Sequence, residues 1–198
     1  MNKQDIAAYF DALAPRWDAE LIRRDAVIEQ ILRNADIASG MDVLDVACGT
    51  GVLLQDYLNR DVNSVYGVDI SGAMIAHAKR KFADVSKIHL YHADIETLSL
   101  PLRFDRVMLY NALPHFPSME RIVETLCAFC KTGGRVTIAH GMSRAQINSI
   151  HAARAGKISQ NLLPAEELAS LLRRYLDVDI VVSDEHMYQV CGQKIERA

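Results

Sequence analysis

The chain has 198 residues, half of them apolar and 24% charged, with a formal net charge of −3 at pH 7. That length suits one domain with a full core. The mildly acidic balance gives no basic footprint for DNA or RNA, so a small-molecule partner and no nucleic acid is expected. The opening MNKQDIAAYF lacks the apolar core of a signal peptide, and no apolar run approaches the ~20 residues of a membrane span. A cytoplasmic protein with no membrane partner is expected.

Two helices are predicted first, Asp5 to Leu13 and Trp17 to Ala35. In the second, Leu21, Ile28, Ile31, Leu32 and Ala35 recur at helical spacing and predict one face on the core. After Gly40 the pattern alternates: strand Asp42 to Ala47, helix Val52 to Asn59, strand Ser64 to Asp69, helix Gly72 to Phe82, strand Ile88 to His92. Single helices between strands, without Asn-Gly hairpin signals, predict parallel βαβ units with right-handed crossovers. A fourth strand, Phe104 to Tyr110, is followed by a loop, a helix, a turn at Gly133 and Gly134, and a fifth strand ending at His140. Cys127 and Cys130 lie within that helix's apolar pattern (Ile122, Val123, Leu126, Phe129) and read as buried thiols. A zinc site usually needs a second ligand pair. Helices Ser143 to Ala155 and Pro164 to Tyr175 and strands Asp177 to Ser183 and Met187 to Gln193 complete the chain.

The stretch with most chemical content is VLDVACGTG, Val43 to Gly51: a buried strand, a turn through small residues, and a helix start. Such a turn brings backbone N–H groups up to a ligand with no side chain in the way. A P-loop needs Lys and then Ser or Thr after its last Gly, where Val52 and Leu53 stand, and is excluded. A dinucleotide fingerprint with Gly49 and Gly51 as its first glycines has Leu54 in place of the third, which weakens that reading. Asp69 ends the second strand, where a carboxylate accepts from both hydroxyls of an adenosine ribose. That serves a nicotinamide dinucleotide and S-adenosylmethionine alike.

The third reading of the loop rests on a resemblance. Acid-x-small-x-Gly-x-Gly, met by Asp45, Ala47, Gly49 and Gly51, closely resembles the adenosylmethionine loop of class I, Rossmann-like methyltransferases, with Ala47 where Gly is commonest. DISGAMIAHAK resembles the segment in which that family packs a Met on the adenine, implying roles for Asp69, Ser71 and Met74. Ser71 also suits a plain N-cap. HADIETL implies Asp94 beside the adenine amino group and Ile95 along the ring. YFDALAPRWD resembles the opening of small-molecule members such as the quinone-biosynthesis branch, where it caps the cofactor, which singles out Tyr9 and Trp17. FDRVMLYN resembles the fourth strand, with Tyr110 and Asn111 at its end. Asn111-Ala112-Leu113-Pro114 differs from the Asn-Pro-Pro-aromatic segment of DNA adenine methyltransferases, so no flipped base is expected.

The resemblance implies a doubly wound, seven-stranded, mostly parallel α/β sheet with one antiparallel strand near the C-terminus and helices on both faces. It implies a single domain, with a helical cap at 1–40, a cofactor-binding core at 41–140, and acceptor-side helices and a hairpin at 141–198. The implied activity is transfer of a methyl group from S-adenosylmethionine to a small-molecule acceptor. A nicotinamide-dependent oxidoreductase and a non-catalytic adenosylmethionine-binding module stay open as alternatives.

Three histidines fall where the acceptor should bind: His115 after the fourth strand, His140 ending the fifth, and His151 on the next helix. Arg144, Asn148 and His151 share one helical stripe opposite Ile147 and Ile150 and are expected to face the cleft. Acceptor binding or proton removal, a shared metal or metal-bearing substrate, and ordinary surface histidines are all open uses of imidazole there. No metal ligand is assigned. Acceptor choice is expected to come from the cap and from residues 143–163.

Overall fold

The strands of the computed structural model, which describes residues 1–154 and 157–196, are β1 (Asp42–Val46), β2 (Ser64–Asp69), β3 (Ile88–His92), β4 (Phe104–Tyr110), β5 (Cys130–His140), β6 (Leu176–Ser183) and β7 (Tyr188–Lys194). They form one sheet in the order β3-β2-β1-β4-β5-β7-β6. β1 to β5 pair in parallel, while β7 lies antiparallel to both β5 and β6. The chain starts at β1, winds outward to β3, then crosses back to β4. The direction reverses between β1 and β4, and their carboxyl ends open the crevice in which ligands of such sheets bind.

The helices are α1 (Lys3–Glu20), α2 (Asp25–Asn34), α3 (Leu54–Leu58), α4 (Gly72–Lys81), α5 (Met119–Phe129), α6 (Arg144–Arg154) and α7 (Ala165–Leu172). Alternation along the strands feeds two cores. Leu44, Val46, Val107, Leu109, Val136 and Ile138 pack with Ile122 and Leu126 of α5 and Leu168 and Leu172 of α7. Val43, Met108 and Ala139 pack on the other face with Ile28, Ile31 and Leu32 of α2 and Leu54 and Tyr57 of α3. At roughly 1.5–3 kcal/mol for each fully buried large apolar side chain, these two layers hold the sheet.

Several boundaries differ from expectation. α1 runs unbroken through Pro15, and the chain turns extended only at Leu21 (φ −68°, ψ 118°). The first two helices therefore separate at residues 21–24. Arg23 holds that segment: its guanidinium donates to the Val52 carbonyl, Asp56 and Asp25, each at 2.6 Å. Leu21, expected on the core stripe, lines the cleft instead. α3 starts at Leu54 because Gly51, at φ 85°, continues the turn. Gly133 and Gly134 lie inside β5, not in a turn before it. Cys130 pairs with Phe104 and Arg135 with Arg106, so Lys131–Gly134 bulge opposite Asp105, with Gly133 at φ 78°.

Cys127 ends within α5 and Cys130 begins β5, both buried, and burial pushes the Cys130 thiol up to about 11. α6 is observed to Arg154; Ala155, its expected last residue, lies outside the described residues. α7 is shorter than expected, from Ala165 to Leu172, with Pro164 as its N-cap residue. Among the described residues, no helix is long and apolar enough to cross a membrane.

Candidate cofactor and acceptor site

The loop after β1 owes its shape to three residues in the left-handed region, Ala47 (φ 55°), Gly49 (φ 56°) and Gly51 (φ 85°). Ala47 bears a conformation that costs a residue with a Cβ roughly 1–2 kcal/mol, which is why glycine is at home there. The two glycines do different work. A Cβ on Gly49 would meet nothing within 4 Å, so that backbone is open to the cleft. A Cβ on Gly51 would come 2.7 Å from Leu54 Cδ1, so Gly51 packs inward and does not line the cleft.

Asp69 organises this loop. It is 7% exposed, and its two oxygens accept from Ser71 N and Gly49 N, each at 2.8 Å. Burial raises its carboxyl above the usual range, and the two amides partly offset that. A carboxylate has about four lone-pair sites, so capacity remains for a ligand. Asp45, 2% exposed on the same wall, is pushed up to about 8 by burial and by the charge of Asp69.

One cleft is lined by Trp17, Asp45, Ala47, Gly49, Asp69, Met74, Tyr110, Asn111 and His115 from the expected set, together with Phe10, Leu21 and Ile70. Asp94 and Ile95 line an adjoining pocket with Ala47, Asp69, Ile70 and His115. Tyr9, Gly51, Ser71, His140 and His151 line neither. Tyr9 packs edge-on against Phe10 at 5.4 Å, and it is Phe10 that reaches the cleft. Ser71 caps α4, accepting from Met74 N at 3.1 Å and donating to Asp11 at 2.5 Å. Asn111 sits at φ 55°, a conformation asparagine tolerates well, and its Oδ1 accepts from Gly141 N at 2.9 Å.

Helix α1 lies along this site. Lys3 donates to Asp94 at 2.6 Å and to Glu96. Asp11 accepts from Ser71 and from Ala73 N at 2.9 Å. Asp18 accepts from Thr50 Oγ1 at 2.5 Å and pairs with Lys81 at 2.9 Å. These clasps escaped the sequence reading. Their signal was spacing: residues 3, 11 and 18 are close to two helical turns apart, which sets them on one stripe, and Phe10 and Trp17 flank it.

Of the histidines, His115 reaches the cleft. Its Nδ1 lies 3.0 Å from the Ile158 carbonyl and donates to it, so Nε2 carries the lone pair. Phe10 packs edge-on at 4.9 Å and the His151 ring is 4.8 Å away. His140 is 2% exposed and sits behind, its ring 6.0 Å from that of Tyr188. His140 Nε2, His151 Nδ1 and Tyr188 Oη are buried without a hydrogen-bond partner among the described residues. Burial lowers all three histidines; His151 adds to it for His115, which falls to about 4, and both other rings add to it for His140, which falls to about 3, so these two are neutral at pH 7. Contrary to expectation, none of Arg144, Asn148 and His151 on the α6 stripe lines the cleft. Arg144 Nε donates to the Leu162 carbonyl at 2.7 Å and Asn148 Oδ1 accepts from Leu162 N at 2.8 Å, so both pin the returning chain. Among the described residues, no three His, Cys, Asp or Glu side chains are placed to hold a metal ion.

A family model described as a methyltransferase domain matches residues 43–134. The ubiquinone biosynthesis O-methyltransferase of Coxiella burnetii is 35% identical over 144 residues, covering 69% of this chain and 61% of that one. The ribosomal RNA small subunit methyltransferase A of Prochlorococcus marinus is 31% identical over 102 residues, 52% of this chain and 36% of that one. The chain thus spans less than two thirds of the length of either relative. The structure of the N-methyltransferase NodS of Bradyrhizobium japonicum, in complex with S-adenosyl-L-homocysteine, shares the fold, with a TM-score of 0.75 at 14% identity over 99% of this chain and 100% of that one. Sheet order, glycine loop and matched family model together identify residues 43–134 as a methyltransferase domain of the class I, Rossmann-like kind.

Proposed function

We propose that this protein transfers the methyl group of S-adenosylmethionine to a small-molecule acceptor by in-line displacement in the cleft beneath α1. The observation that carries the reading is a shared lining: Asp45, Gly49, Asp69 and Met74 from the cofactor motifs and His115 from the acceptor group face one cleft. In this reading Gly49 lies under the methionine tail, Asp69 takes the ribose hydroxyls, and Met74, Asp94 and Ile95 surround the adenine. Tyr110 and Asn111 border the methyl. Phe10 and Trp17 cover the cofactor, and Tyr9, Gly51 and Ser71 act from behind. A small acceptor agrees with the net charge of −3 and with the quinone-biosynthesis activity named for one relative. A cytoplasmic setting agrees with the same chemistry.

A sulfonium is already activated, so the protein's main task is alignment, where proximity is worth roughly 7–11 kcal/mol of barrier. The reaction converts acceptor–H and S-adenosylmethionine into methylated acceptor, S-adenosylhomocysteine and a proton. His115, neutral and with its Nε2 lone pair free, is a weak base in the ground state. It becomes effective late, when bond formation to the methyl makes the attacking atom strongly acidic. His151 and His140 hold that ring in a neutral, enclosed setting.

The test is calorimetric binding of S-adenosylmethionine against NAD, followed by S-adenosylhomocysteine formation with phenols, thiols, amines and a ribosomal RNA fragment. Binding of S-adenosylmethionine and turnover with a small acceptor are expected. NAD binding in its place would return the oxidoreductase reading, and turnover with RNA alone would replace the acceptor class.

A further inference from the structure

The chain returning from α6 grips His115 and both of its neighbours. The backbone N–H of Gln160 donates to the Pro114 carbonyl at 2.9 Å, and its side-chain Nε2 donates to the Phe116 carbonyl at 2.7 Å. Between them, His115 Nδ1 donates to the Ile158 carbonyl at 3.0 Å. Gln160 thus brackets the histidine on both sides. The returning segment is seated elsewhere as well. Leu162 is buried and tied to Asn148 and Arg144 of α6, and Ile158, 7% exposed, packs in a small cluster with Ile6, Phe10 and Ile70.

The tautomer of His115 follows from this seat. A carbonyl only accepts, so Nδ1 carries the proton and Nε2 the lone pair. A neutral histidine side chain in water favours the opposite form, with its proton on Nε2, so the Ile158 carbonyl reverses an intrinsic preference. That reversal needs an acceptor held in place. Residues 157–164 form no helix or strand, so the Ile158 carbonyl is positioned by the bonds at Gln160 and Leu162 and by the packing of its own side chain. Of the two bonded residues, Gln160 is the one that grips the turn carrying His115, Leu113–His115. His115 lines the main cleft and the adjoining pocket, and Gln160 lines neither.

We propose that Gln160 is a positioning residue for methyl transfer: by clamping the peptide carbonyls on both sides of His115 it keeps the Ile158 carbonyl in reach, and so holds His115 in the tautomer whose Nε2 takes the acceptor's proton. This rests on the role given to His115 above. The acceptor atom bonds to the methyl as the methyl–sulfur bond breaks, its proton passes to Nε2, and the imidazolium then releases that proton to solvent. Nδ1–H stays on the Ile158 carbonyl throughout. Gln160 touches neither acceptor nor cofactor, and its effect passes through the imidazole.

The test reads the His115 tautomer directly, by long-range nitrogen–proton correlation spectra of protein labelled with heavy nitrogen at histidine, with no cofactor or acceptor added. The signal that disappears in His115→Gln assigns the ring. In the parent, His115 should carry its proton on Nδ1. Gln160→Met keeps the length of the side chain without its donor, and should move the tautomer ratio roughly 3–10-fold toward the Nε2-protonated form, the scale of one neutral hydrogen bond. Gln160→Glu, close to the same shape, should move it the same way and serves if the Met variant folds poorly. With an acceptor in hand, Gln160→Met should lower kcat by roughly the same 3–10-fold. The Kd of S-adenosylhomocysteine should stay within about twofold, and a His115→Ala background should show no further loss. A parent His115 protonated on Nε2, or parent-like His115 signals in both variants, would overturn the proposal. An equal loss of kcat with and without His115 would also overturn it, because the contact would then act on the fold and not through the ring. A parent protein that shows the expected tautomer but binds no S-adenosylmethionine would instead overturn the cofactor reading, and the methyl-transfer role of Gln160 with it.

Discussion

Lys3 and Asp94, 91 residues apart in the chain, are joined at 2.6 Å across the mouth of the adenine-side pocket. The other Asp94 oxygen accepts from Glu96 N at 3.0 Å, and Glu96 itself, with 4% of its side chain exposed, takes a second contact from Lys3. Burial pulls the Lys3 ammonium down, but the hydrogen bonds and charges of the two carboxylates outweigh it and hold the group above its usual value. The first helix is thereby tied to an acid that the cofactor reading assigns to the adenine.

The clasp should govern how fast the cofactor enters and leaves. Phe10 and Trp17 of α1 line the cleft, so the helix that Lys3 anchors forms part of its wall. Lys3→Ala should raise both association and dissociation rates of S-adenosylmethionine about 2–10-fold with a smaller change in Kd, given the modest worth of a half-exposed pair. Stopped-flow fluorescence of Trp17 reads both rates, and unchanged rates would remove Lys3 from any gating role.

Asp69 carries two loads, the loop amides and the ribose. Asp69→Ala should weaken S-adenosylmethionine binding by about 1.5–3 kcal/mol, the range for hydrogen bonds to a charged group. It should also loosen the loop, since Gly49 N and Ser71 N lose their acceptor. Calorimetry showing parent affinity would place the ribose elsewhere.

Stability should fall on the acid side through His140 and His115. Both have folded-state values below the ordinary histidine value, about 3 and about 4, so the unfolded chain binds more protons. Their contribution is complete above the unfolded value near 6.5 and is lost as pH drops toward 4 and then 3, by about 1.4 kcal/mol per pH unit for each ring. His140→Gln should flatten this limb by about half when unfolding free energy is followed in urea from pH 7 to pH 4. A parent slope in that variant would show that His140 is not the buried neutral group.

Removal of the cleft-facing imidazole should separate binding from chemistry. His115→Ala should lower turnover by roughly 10²–10⁴-fold, the range for a positioned acid or base, while cofactor affinity stays within about twofold. His140→Ala and His151→Ala should have smaller effects, because neither ring lines the cleft. Parent turnover in all three variants would leave acceptor alignment to the apolar wall and the cap. A chelator should leave the rate unchanged, and inhibition restored by added metal would revive the metal reading.

The sheet and the glycine loop were legible in the sequence because their causes are local. Runs such as VLDV and SVYGVD must bury alternate faces, and Gly49 and Gly51 must follow a strand for the turn to form. β2, β3 and β4 consequently match their expected bounds, and Asp69 and Met74 reach the cleft as their strand end and helix start require. Pro15 and the Lys131–Gly134 segment escaped because a single proline or glycine allows a turn without compelling one; neighbours decide.

What tertiary structure alone decided is the identity of the residues that close the site. Lys3, Asp11 and Asp18 find partners 91, 60 and 32 residues away, contacts that no short window contains. Their stripe is polar, so no apolar period marks it as an inner face. His115 and His151 meet through Ile158 and Leu162, which bring α6 back over the turn after β4. Which of three histidines faces a ligand depends on that return path and not on residue type. A motif can therefore place a carboxylate at a strand end from sequence, while the cap, the latch and the acceptor side arise only when segments distant in the chain exclude water from one another.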